Sequence, residues 1–354
     1  VQEVMDLTAV PHLATLKTHV PFINFFDGFR TSHEYHKVEV MDIEDIRPLV
    51  DEADIKNFRD RALSPERPVT RGTAENPETF FTHREASNSH YDAIPDVVEH
   101  YLGEISKITG REYHCFSYYG AEDAENIIIL MGSATEAARE AIDYLTSEGK
   151  KVGMISVHLY RPFSVKHLFA AVPKTVKKIA VLDRTKEPGA EGEPLYLDVK
   201  SAFYDQENRP VIVGGRYGLG SSDITPAKII SVYNNLELPE PKNHFTVGII
   251  DDVTFTSLPA VEEMALGGKS IYEAKFFGLG ADGTVGANKN SVKIIGDNTN
   301  KHCQAYFSYD SKKSGGFTCS HLRFGDEPIR STYQITTPNF VACHVQAYLN
   351  MYDV

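Results

Sequence analysis

The strongest constraint on the fold is a regular alternation of apolar and amphipathic segments in the middle of the chain. Patterns typical of buried strands occupy residues 126–131, 151–157, 177–183 and 209–213. Helical patterns follow them at residues 134–147, 164–172, 195–204 and 227–235. Because strand–helix–strand connections of this kind are right-handed, the alternation predicts a parallel sheet covered by helices on both faces.

Length and composition narrow the class of protein. A chain of 354 residues with 42% hydrophobic content predicts two or three domains, each with its own core. The net charge of −13 argues against general nucleic-acid binding, which requires a basic surface. No apolar run approaches the roughly twenty residues of a membrane span. We therefore expect neither nucleic acid nor a membrane as a partner.

The four cysteines indicate thiols without a metal or redox function. Cys115, Cys303, Cys319 and Cys343 are far apart in the sequence and form no C-x-x-C, zinc or cluster-binding pattern. A reducing, cytoplasmic compartment is the simplest interpretation. We therefore predict buried free thiols and no metal ligands.

Changes in composition divide the chain into four parts. These parts are residues 1–63, 64–95, 96–238 and 239–354. The first contains one aromatic strand pattern at residues 20–29 and a few short helices, with Asp42 and Asp54 as candidate N-caps. It is too small for an α/β core of its own, so we expect the end of a domain that begins earlier in a longer polypeptide.

The other parts differ in character. Residues 64–95 are rich in Pro, Thr, Asn, Glu and Arg and predict an extended linker arm. Residues 96–238 contain the parallel α/β domain. Two prolines mark the next boundary, and residues 239–354 predict a further, partial α/β domain that ends in a helical pattern at residues 340–349.

A G-x-G-x-x-G sequence in the last part is the leading candidate for a binding site. Gly278, Gly280 and Gly283 follow a short apolar run at residues 274–277. A strand, a glycine turn and the start of a helix direct main-chain N–H groups and a positive helix end at a phosphate. The candidate ligand contacts in this turn and helix are Gly278, Gly280, Ala281, Asp282, Gly283, Thr284, Val285 and Asn288.

The segment after the second strand of this unit points to a phosphorylated nucleotide. In NAD-binding units an acidic residue about twenty positions after the glycines binds the ribose 2′-hydroxyl. Here the strand at residues 304–309 runs into Asp310, Ser311, Lys312 and Lys313. Two adjacent ammonium groups suit a phosphate-bearing ribose better than a bare one. Lys312 and Lys313 therefore complete the candidate site.

Each of these assignments has an alternative. A G-x-G-x-x-G sequence also occurs in ordinary turns, and a lysine pair also occurs in solvated surface loops. Asp282 would repel a phosphate unless its carboxylate pointed away from the loop. Asp183 and Arg184 follow a strand end, where α/β folds bind ligands, but an ion-pair network within the fold explains them better. His33 and His36 have metal-ligand spacing without a third ligand nearby, which disfavours a metal site.

Several stretches of the chain resemble the pyruvate:ferredoxin (flavodoxin) oxidoreductase family. They are VPFINFFDGFRTSHE, LMGSATEAAREAIDYL, HLYRPFS, VLDRTKEPGAEGEPLYLDV, GRYGLGSSDITP, FFGLGADGTVGANKNSVKIIG, SKKSGG and SHLRFGDEPIRSTYQI. The resemblance covers essentially the whole chain in family order. It implies that the chain is a central part of a much longer polypeptide.

The resemblance also implies a function. Enzymes of this family oxidatively decarboxylate pyruvate with thiamine diphosphate and Mg²⁺, pass electrons through 4Fe–4S clusters to ferredoxin or flavodoxin, and transfer the acetyl group to coenzyme A. By resemblance, the glycine turn and the lysine pair would bind coenzyme A. The ligands of thiamine diphosphate, Mg²⁺ and the clusters would lie outside this chain, so the chain alone is expected to be inactive. The whole enzyme is expected to be a homodimer in the cytoplasm, or in a hydrogenosome-type organelle of an anaerobic eukaryote.

The resemblance assigns a role to each part of the chain. Residues 1–63 would end a thiamine-diphosphate-binding domain, and residues 96–238 would form a domain similar to the transketolase C-terminal domain. Residues 239–354 would form a Rossmann-like, truncated coenzyme-A-binding domain. A related 2-oxoacid or pyruvate:NADP oxidoreductase shares this region and is an alternative. An interdomain scaffold that binds no ligand is another.

Overall fold

Two sheets organise the part of the chain that the computed structural model describes, which is residues 1–70, 72, 74–268, 270–309 and 315–354. The helices are α1 Gln2–Leu7, α2 Ala9–Thr18, α3 Ile43–Ile46, α4 Glu52–Asp60, α5 Pro77–Ala86, α6 Asn88–Thr109, α7 Ala134–Ser147, α8 Val165–Ala171, α9 Pro194–Phe203, α10 Pro226–Glu237 and α11 Thr284–Asn298. The strands are β1 Tyr35–His36, β2 Phe116–Gly120, β3 Asn126–Leu130, β4 Val152–Val157, β5 Lys178–Asp183, β6 Val211–Arg216, β7 Phe245–Thr246, β8 Tyr272–Leu279, β9 His302–Tyr309, β10 Phe317–Gly325 and β11 Phe340–Cys343. No helix among the described residues is both long enough and apolar enough to cross a membrane.

The sheet in the middle of the chain confirms the predicted parallel architecture. Its strand order is β2-β4-β3-β5-β6-β7, and all neighbouring pairs are parallel except β2 with β4. The predicted strands and helices between residues 126 and 235 are all present, with ends that shift by a few residues. From β3 the chain winds to β4 on one side and from β5 to β6 on the other, so the winding direction reverses between β3 and β5.

Both faces of this sheet are buried, as a parallel sheet requires. Side chains of a strand alternate between the two faces. Ile127 and Ile129 of β3 belong to a core that includes residues of α6 and α9, whereas Ile128 and Leu130 belong to a core with residues of α7 and α10. The apolar runs that predicted these strands therefore reflect burial on two sides.

The sheet at the end of the chain corrects the expected Rossmann-like topology. Its order is β1-β9-β10-β8-β11, and β10 is antiparallel to both β8 and β9. In a Rossmann unit the two strands that a helix connects lie side by side. Here β8 and β9 are parallel, but β10 lies between them, which makes β8–α11–β9 a split β–α–β unit. The predicted local order is nevertheless present: the strand β8 is followed by the glycine turn and by the start of α11.

The predicted strand at residues 20–29 is wrong. This segment contains neither helix nor strand up to residue 27, and Ile23, Phe25 and Phe26 are exposed. The aromatic residues suggested a half-buried strand, but a strand also needs a neighbouring strand for its main-chain hydrogen bonds. The described structure provides none for this segment.

Three further local predictions meet different outcomes. Asp42 caps α3 as predicted, because its carboxylate accepts a hydrogen bond from the Glu44 N–H at 2.9 Å. The cap of α4 is Asp51, which accepts from the Ala53 N–H at 2.8 Å, so the prediction of Asp54 is wrong. The helical pattern at residues 340–349 is also wrong over its first part, which forms β11.

The extended linker predicted for residues 64–95 is helical in its second half. The helix α5 lies within it, and α6 runs across the proposed boundary after residue 95. Ile94, Val98, Leu102 and Ile105 recur at helical spacing in α6 and are buried in the core below the middle sheet. The polar composition of this region concealed the apolar stripe.

Substitutions of Gly215 and Gly103 test how closely β6 packs against β7, and they should change stability in opposite directions. A Cβ atom on Gly215 would lie 2.0 Å from a ring carbon of Phe245, whereas one on Gly103, in α6, would meet nothing within 4 Å. We expect Gly215→Ala to lower the free energy of unfolding by about 1–3 kcal/mol, because the ring has to move. Gly103→Ala should raise it by about 0.5–1 kcal/mol, because alanine loses less backbone entropy in a helix.

Urea unfolding followed by circular dichroism measures both changes. Gly103→Ala is the matched control, since the same methyl group is added in open space. Equal effects of the two substitutions would contradict the close packing of β6 against β7.

Candidate functional site

The predicted glycine turn joins β8 to α11. Gly283 precedes the helix with a φ angle of 91°, in the left-handed region that favours glycine. A Cβ atom on Gly278 would lie 2.7 Å from both an Asp282 carboxylate oxygen and the Thr284 hydroxyl oxygen. One glycine is thus required by the backbone conformation, and the other by the close approach of side chains.

Main-chain hydrogen bonds tie this turn to the residues that follow the lysine pair. The Gly280 N–H donates to the Gly316 carbonyl oxygen at 2.7 Å, and the Gly315 N–H donates to the Gly280 carbonyl oxygen at 3.2 Å. Gly315 and Gly316 stand immediately before β10, which pairs with both β8 and β9. Lys312 and Lys313 themselves lie outside the described residues.

Asp282 points into the turn. Its Oδ2 accepts a hydrogen bond from the Leu279 N–H at 2.7 Å, and its Oδ1 accepts one from the Thr284 N–H at 2.8 Å. Partial removal from water opposes ionisation of this exposed carboxyl, but hydrogen bonds from the N–H groups of Thr284 and Leu279 outweigh it and hold the pKa of Asp282 below its ordinary value. The condition that Asp282 point away from a phosphate is therefore not met. Its carboxylate occupies one anion position at the start of α11.

Other N–H groups of the turn are open to a ligand. The main-chain N–H groups of Ala281, Gly283, Val285 and Gly286 have no hydrogen-bond acceptor among the described residues. They lie in the turn and in the first residues of α11, where the helix dipole also favours an anion. The Val285 side chain packs against the apolar core below the helix, so this residue offers a ligand only its N–H.

Two of the predicted contacts are buried side chains. Thr284 is 7% exposed and Asn288, one turn further along α11, is 4% exposed. The Thr284 hydroxyl is 2.9 Å from Nδ1 of the His344 ring. The main-chain N–H of His344 donates to the Phe277 carbonyl oxygen. These side chains support the turn from below and do not form its outer surface.

Sequence reasoning missed two polar residues beneath the same helix. Thr318 and Ser320 are buried on β10, and their hydroxyl groups have no hydrogen-bond partner among the described residues. They lie on the same face of the strand as Leu322, which packs in the core with Val292 of α11. Thr318 pairs with Gly278 across the sheet. The alternation of small polar residues in TCSHL was the only signal in the sequence.

A large cleft lies elsewhere in the molecule. It has a volume of about 2530 Å³ and lies between the N-terminal segment and the middle domain. Asp27, Ser133 and Arg184 are among its lining residues, but none of the predicted coenzyme-A contacts is. Size alone therefore does not point to the glycine turn, whose candidacy depends on its main-chain donors.

The cysteines are free thiols, as predicted. Cys115, Cys303 and Cys319 are buried and Cys343 is half-buried. Burial raises the pKa of Cys319 to about 11, which keeps the thiol protonated at neutral pH. Within the described ranges no group of three or more His, Cys, Asp or Glu residues could hold a metal ion.

Three family models match successive parts of the chain. Residues 1–102 match the thiamine-diphosphate-binding model of pyruvate flavodoxin/ferredoxin oxidoreductase. Residues 124–229 match core domain II of pyruvate:ferredoxin oxidoreductase. Residues 273–353, which include the glycine turn, match the model of pyruvate ferredoxin/flavodoxin oxidoreductase. All three describe one class of protein, the oxidoreductases that act on pyruvate.

Individual relatives agree with these models. The chain is 59% identical to a pyruvate-flavodoxin oxidoreductase of Enterobacter agglomerans over 355 aligned residues, and 54% identical to a pyruvate:ferredoxin oxidoreductase of Moorella thermoacetica over 354. Each alignment covers 100% of this chain and 30% of the relative. The chain therefore belongs to the pyruvate:ferredoxin/flavodoxin oxidoreductase family, and it spans about a third of the length of these members.

A solved structure gives a weaker match. A 2-oxoglutarate:ferredoxin oxidoreductase from Magnetococcus marinus, with 2-oxoglutarate, coenzyme A and succinyl-CoA bound, is 22% identical. The match covers 46% of this chain and 24% of that chain, with a TM-score of 0.31. A similarity at this level supports no conclusion about the site.

Asp282→Asn tests the capping carboxylate. The pKa of a free aspartate is about 3.9, and the pKa of Asp282 is lower in the folded chain. The carboxylate therefore stabilises the fold above the unfolded pKa, and this contribution is lost as the pH falls through the folded pKa. We expect Asp282→Asn to lower the free energy of unfolding at pH 7 by about 0.5 kcal/mol, a small effect because the side chain is exposed.

Thermal or urea unfolding between pH 7 and pH 3 measures this change. The difference from the wild type should shrink as the pH falls below about 3.9, because the carboxyl of the unfolded chain takes up a proton before that of the folded chain does. Asp297→Asn removes a charge from the other end of α11 and is the control. A difference that did not change with pH would show that Asp282 is not an ionised cap.

Proposed function

We propose that this chain contributes the coenzyme-A-binding site of a pyruvate:ferredoxin/flavodoxin oxidoreductase. The observation that carries the proposal is the glycine turn after β8, in which four N–H groups have no acceptor among the described residues. The same turn is hydrogen-bonded to Gly315 and Gly316, which follow Lys312 and Lys313 closely in the sequence. In the whole protein, thiamine diphosphate with Mg²⁺ would supply the decarboxylation of pyruvate, and 4Fe–4S clusters would carry electrons to ferredoxin or flavodoxin. Coenzyme A would accept the acetyl group.

Charge supports a phosphate ligand at this turn. The chain has a net charge of −13, so coenzyme A, which is itself anionic, can bind only where local positive groups outweigh the overall repulsion. The N–H groups of Ala281, Gly283, Val285 and Gly286 and the dipole of α11 provide one such region. Lys312 and Lys313 would provide a second, and the two regions match the two phosphate groups of coenzyme A, its diphosphate and its 3′-phosphate.

The residues of this chain would position coenzyme A without breaking a bond. The main-chain donors and the lysines would fix the nucleotide end, and the thiol would extend to the acetyl group held elsewhere in the whole protein. Such an arrangement accelerates transfer through proximity rather than through acid–base catalysis. The buried Thr284 and Asn288 would hold the turn in shape beneath the ligand.

The domain roles are part of the same proposal. Residues 1–63 would complete a thiamine-diphosphate-binding domain, residues 96–238 would be a transketolase C-terminal-like domain, and residues 239–354 would bind coenzyme A. The segment of residues 64–95 would include helices rather than an extended linker alone. The whole protein would act as a homodimer in the cytoplasm, and the chain by itself would bind coenzyme A without oxidising pyruvate.

One observation favours a second candidate, an interdomain scaffold with no ligand. Asp282 already satisfies two N–H groups of the turn, as an ordinary capped turn would. The two candidates differ in what Asp282 does to a ligand. If the turn binds phosphate, the carboxylate weakens binding by repulsion, and its removal strengthens binding.

Titration calorimetry with coenzyme A and dephospho-coenzyme A tests the main proposal. We expect coenzyme A to bind at least about tenfold more tightly than the analogue that lacks the 3′-phosphate, because a charge-assisted contact is lost. Replacing both lysines, Lys312→Ala with Lys313→Ala, should weaken the binding of coenzyme A by a similar factor. It should also remove the preference for coenzyme A over dephospho-coenzyme A.

The matched control is Lys150→Ala with Lys151→Ala. These two adjacent lysines form surface ion pairs with Glu237 and Asp123 in the middle domain. Their replacement removes the same total charge as replacement of Lys312 and Lys313. It should leave binding unchanged. Equal affinity for the two ligands, or equal loss in both double variants, would exclude this site.

Asp282→Asn separates the two candidates. A phosphate-binding turn should bind coenzyme A several-fold more tightly in this variant, because a like charge beside the ligand is removed while the shape is kept. Calorimetry under the same conditions measures the change. Unaltered or absent binding in this variant would favour the scaffold.

A further inference from the structure

Asp27 of the N-terminal segment inserts its carboxylate into the middle domain. Its Oδ1 accepts a hydrogen bond from Nη1 of Arg184 at 2.8 Å, and its Oδ2 accepts one from the Ser133 N–H. Both side chains are largely buried, with 13% of Asp27 and 19% of Arg184 exposed. The contact joins residues that are more than a hundred positions apart in the sequence.

The carboxylate occupies a particular place in the sheet. Ser133 precedes α7 just after β3, and Arg184 follows β5 directly. These two strands are neighbours, and the winding of the sheet reverses between them. Open α/β sheets bind their ligands at such a crevice, outside the carboxyl ends of the strands. Here a side chain of the same polypeptide lies in that crevice.

The surrounding residues are arranged for a carboxylate. Gly132 has a φ angle of 78°, and a Cβ atom on it would lie 2.6 Å from Oδ2 of Asp27. Arg184 is held in place by its Nε, which donates to the Gly218 carbonyl oxygen at 3.0 Å. One oxygen thus meets a fixed guanidinium, the other meets a helix N-terminus, and a glycine makes room for both.

We propose that the middle domain has a built carboxylate-binding site at this crevice and that Asp27 is its ligand. The site is formed by the Ser133 N–H, the Arg184 guanidinium and the space above Gly132. Its ligand class is a small carboxylate anion, and in the intact chain the Asp27 side chain occupies it permanently. Asp27 is therefore a positioning residue, which fixes the N-terminal segment on the middle domain.

A second contact keeps Asp27 in the site. Arg30 is 8% exposed, pairs with Asp223 at 3.2 Å and donates to the Thr332 carbonyl oxygen at 3.1 Å. Between the two anchors, Phe29 has a φ angle of 58°, which a bulky residue adopts only when its surroundings enforce it. The two ion pairs have opposite polarity, so the segment can dock in one orientation only.

Restoring the lost carboxylate from solution tests the proposal. In Asp27→Ala the site should be empty, and acetate or formate should bind it and raise the melting temperature in a saturable manner. Sodium chloride at equal ionic strength should not do so. The wild type and Asp45→Ala, which removes an exposed carboxylate from α3, are the controls and should respond to acetate and chloride alike.

The double variant Asp27→Ala with Arg184→Gln identifies the site. Loss of the charged donor should weaken the binding of acetate by about tenfold relative to the Asp27→Ala variant. Calorimetry with acetate gives both affinities. Phosphate serves as a further probe, and tighter binding of phosphate than of acetate would overturn the assignment to a carboxylate.

Folding of the variant does not limit the test. If Asp27→Ala folds poorly, its refolding yield should rise with acetate, whereas Asp27→Asn, which keeps the shape, should fold without it. The proposal is overturned if acetate stabilises Asp27→Ala no more than Asp45→Ala. It is also overturned if the double variant responds as strongly, or if acetate fails to restore folding. These outcomes are independent of coenzyme A binding at the glycine turn.

Discussion

The unpaired N–H groups at the starts of helices are the constraint on which the rest of this structure depends. Each helix that follows a strand begins with N–H groups that have no acceptor within the helix. Besides Asp42 at α3 and Asp51 at α4, three carboxylates meet this requirement at helices that pack on the two sheets. Asp183 accepts from the N–H groups of Leu195 and Tyr196 at the start of α9, Asp27 accepts at the start of α7, and Asp282 accepts at the start of α11. Burial raises the pKa of Asp183 to about 6, although its N–H donors oppose this rise.

The features that could be predicted are those whose interacting residues lie close together in the sequence. Contacts between residues far apart in the sequence could not be predicted. The turn at Gly278 to Gly283 is a local pattern, and the sequence predicts it correctly. The inward direction of Asp282 is also local, but it depends on competition between a cap and a ligand, which a pattern does not decide. Asp27 reaches a helix more than a hundred residues away, so no spacing in the sequence indicates its partner.

The same distinction explains the fold. The middle strands were predictable because burial on both faces leaves continuous apolar runs such as Ile127 to Leu130. The aromatic run near Phe25 is also apolar, but the described residues provide no neighbouring strand for it, so it remains irregular and exposed. The placement of β10 between β8 and β9 depends on non-local strand pairing. A local strand–helix–strand pattern therefore suggests a Rossmann unit where a split unit forms.

The way each carboxylate is tethered decides which helix start can accept a ligand from solution. An anion from solution that binds at the start of α7 has to displace the Asp27 carboxylate. The Arg30–Asp223 ion pair, three residues further along, keeps Asp27 close to the site, so the effective concentration of this carboxylate is high. Asp282 satisfies only part of the N–H groups at the start of α11. The N–H groups of Ala281, Gly283, Val285 and Gly286 have no acceptor within the part of the chain that the structure describes. In a chain with a net charge of −13, an anion is attracted only where such donors are uncompensated. On the two proposals made above, the α7 crevice would position the N-terminal segment, and the glycine turn would remain available to a phosphate.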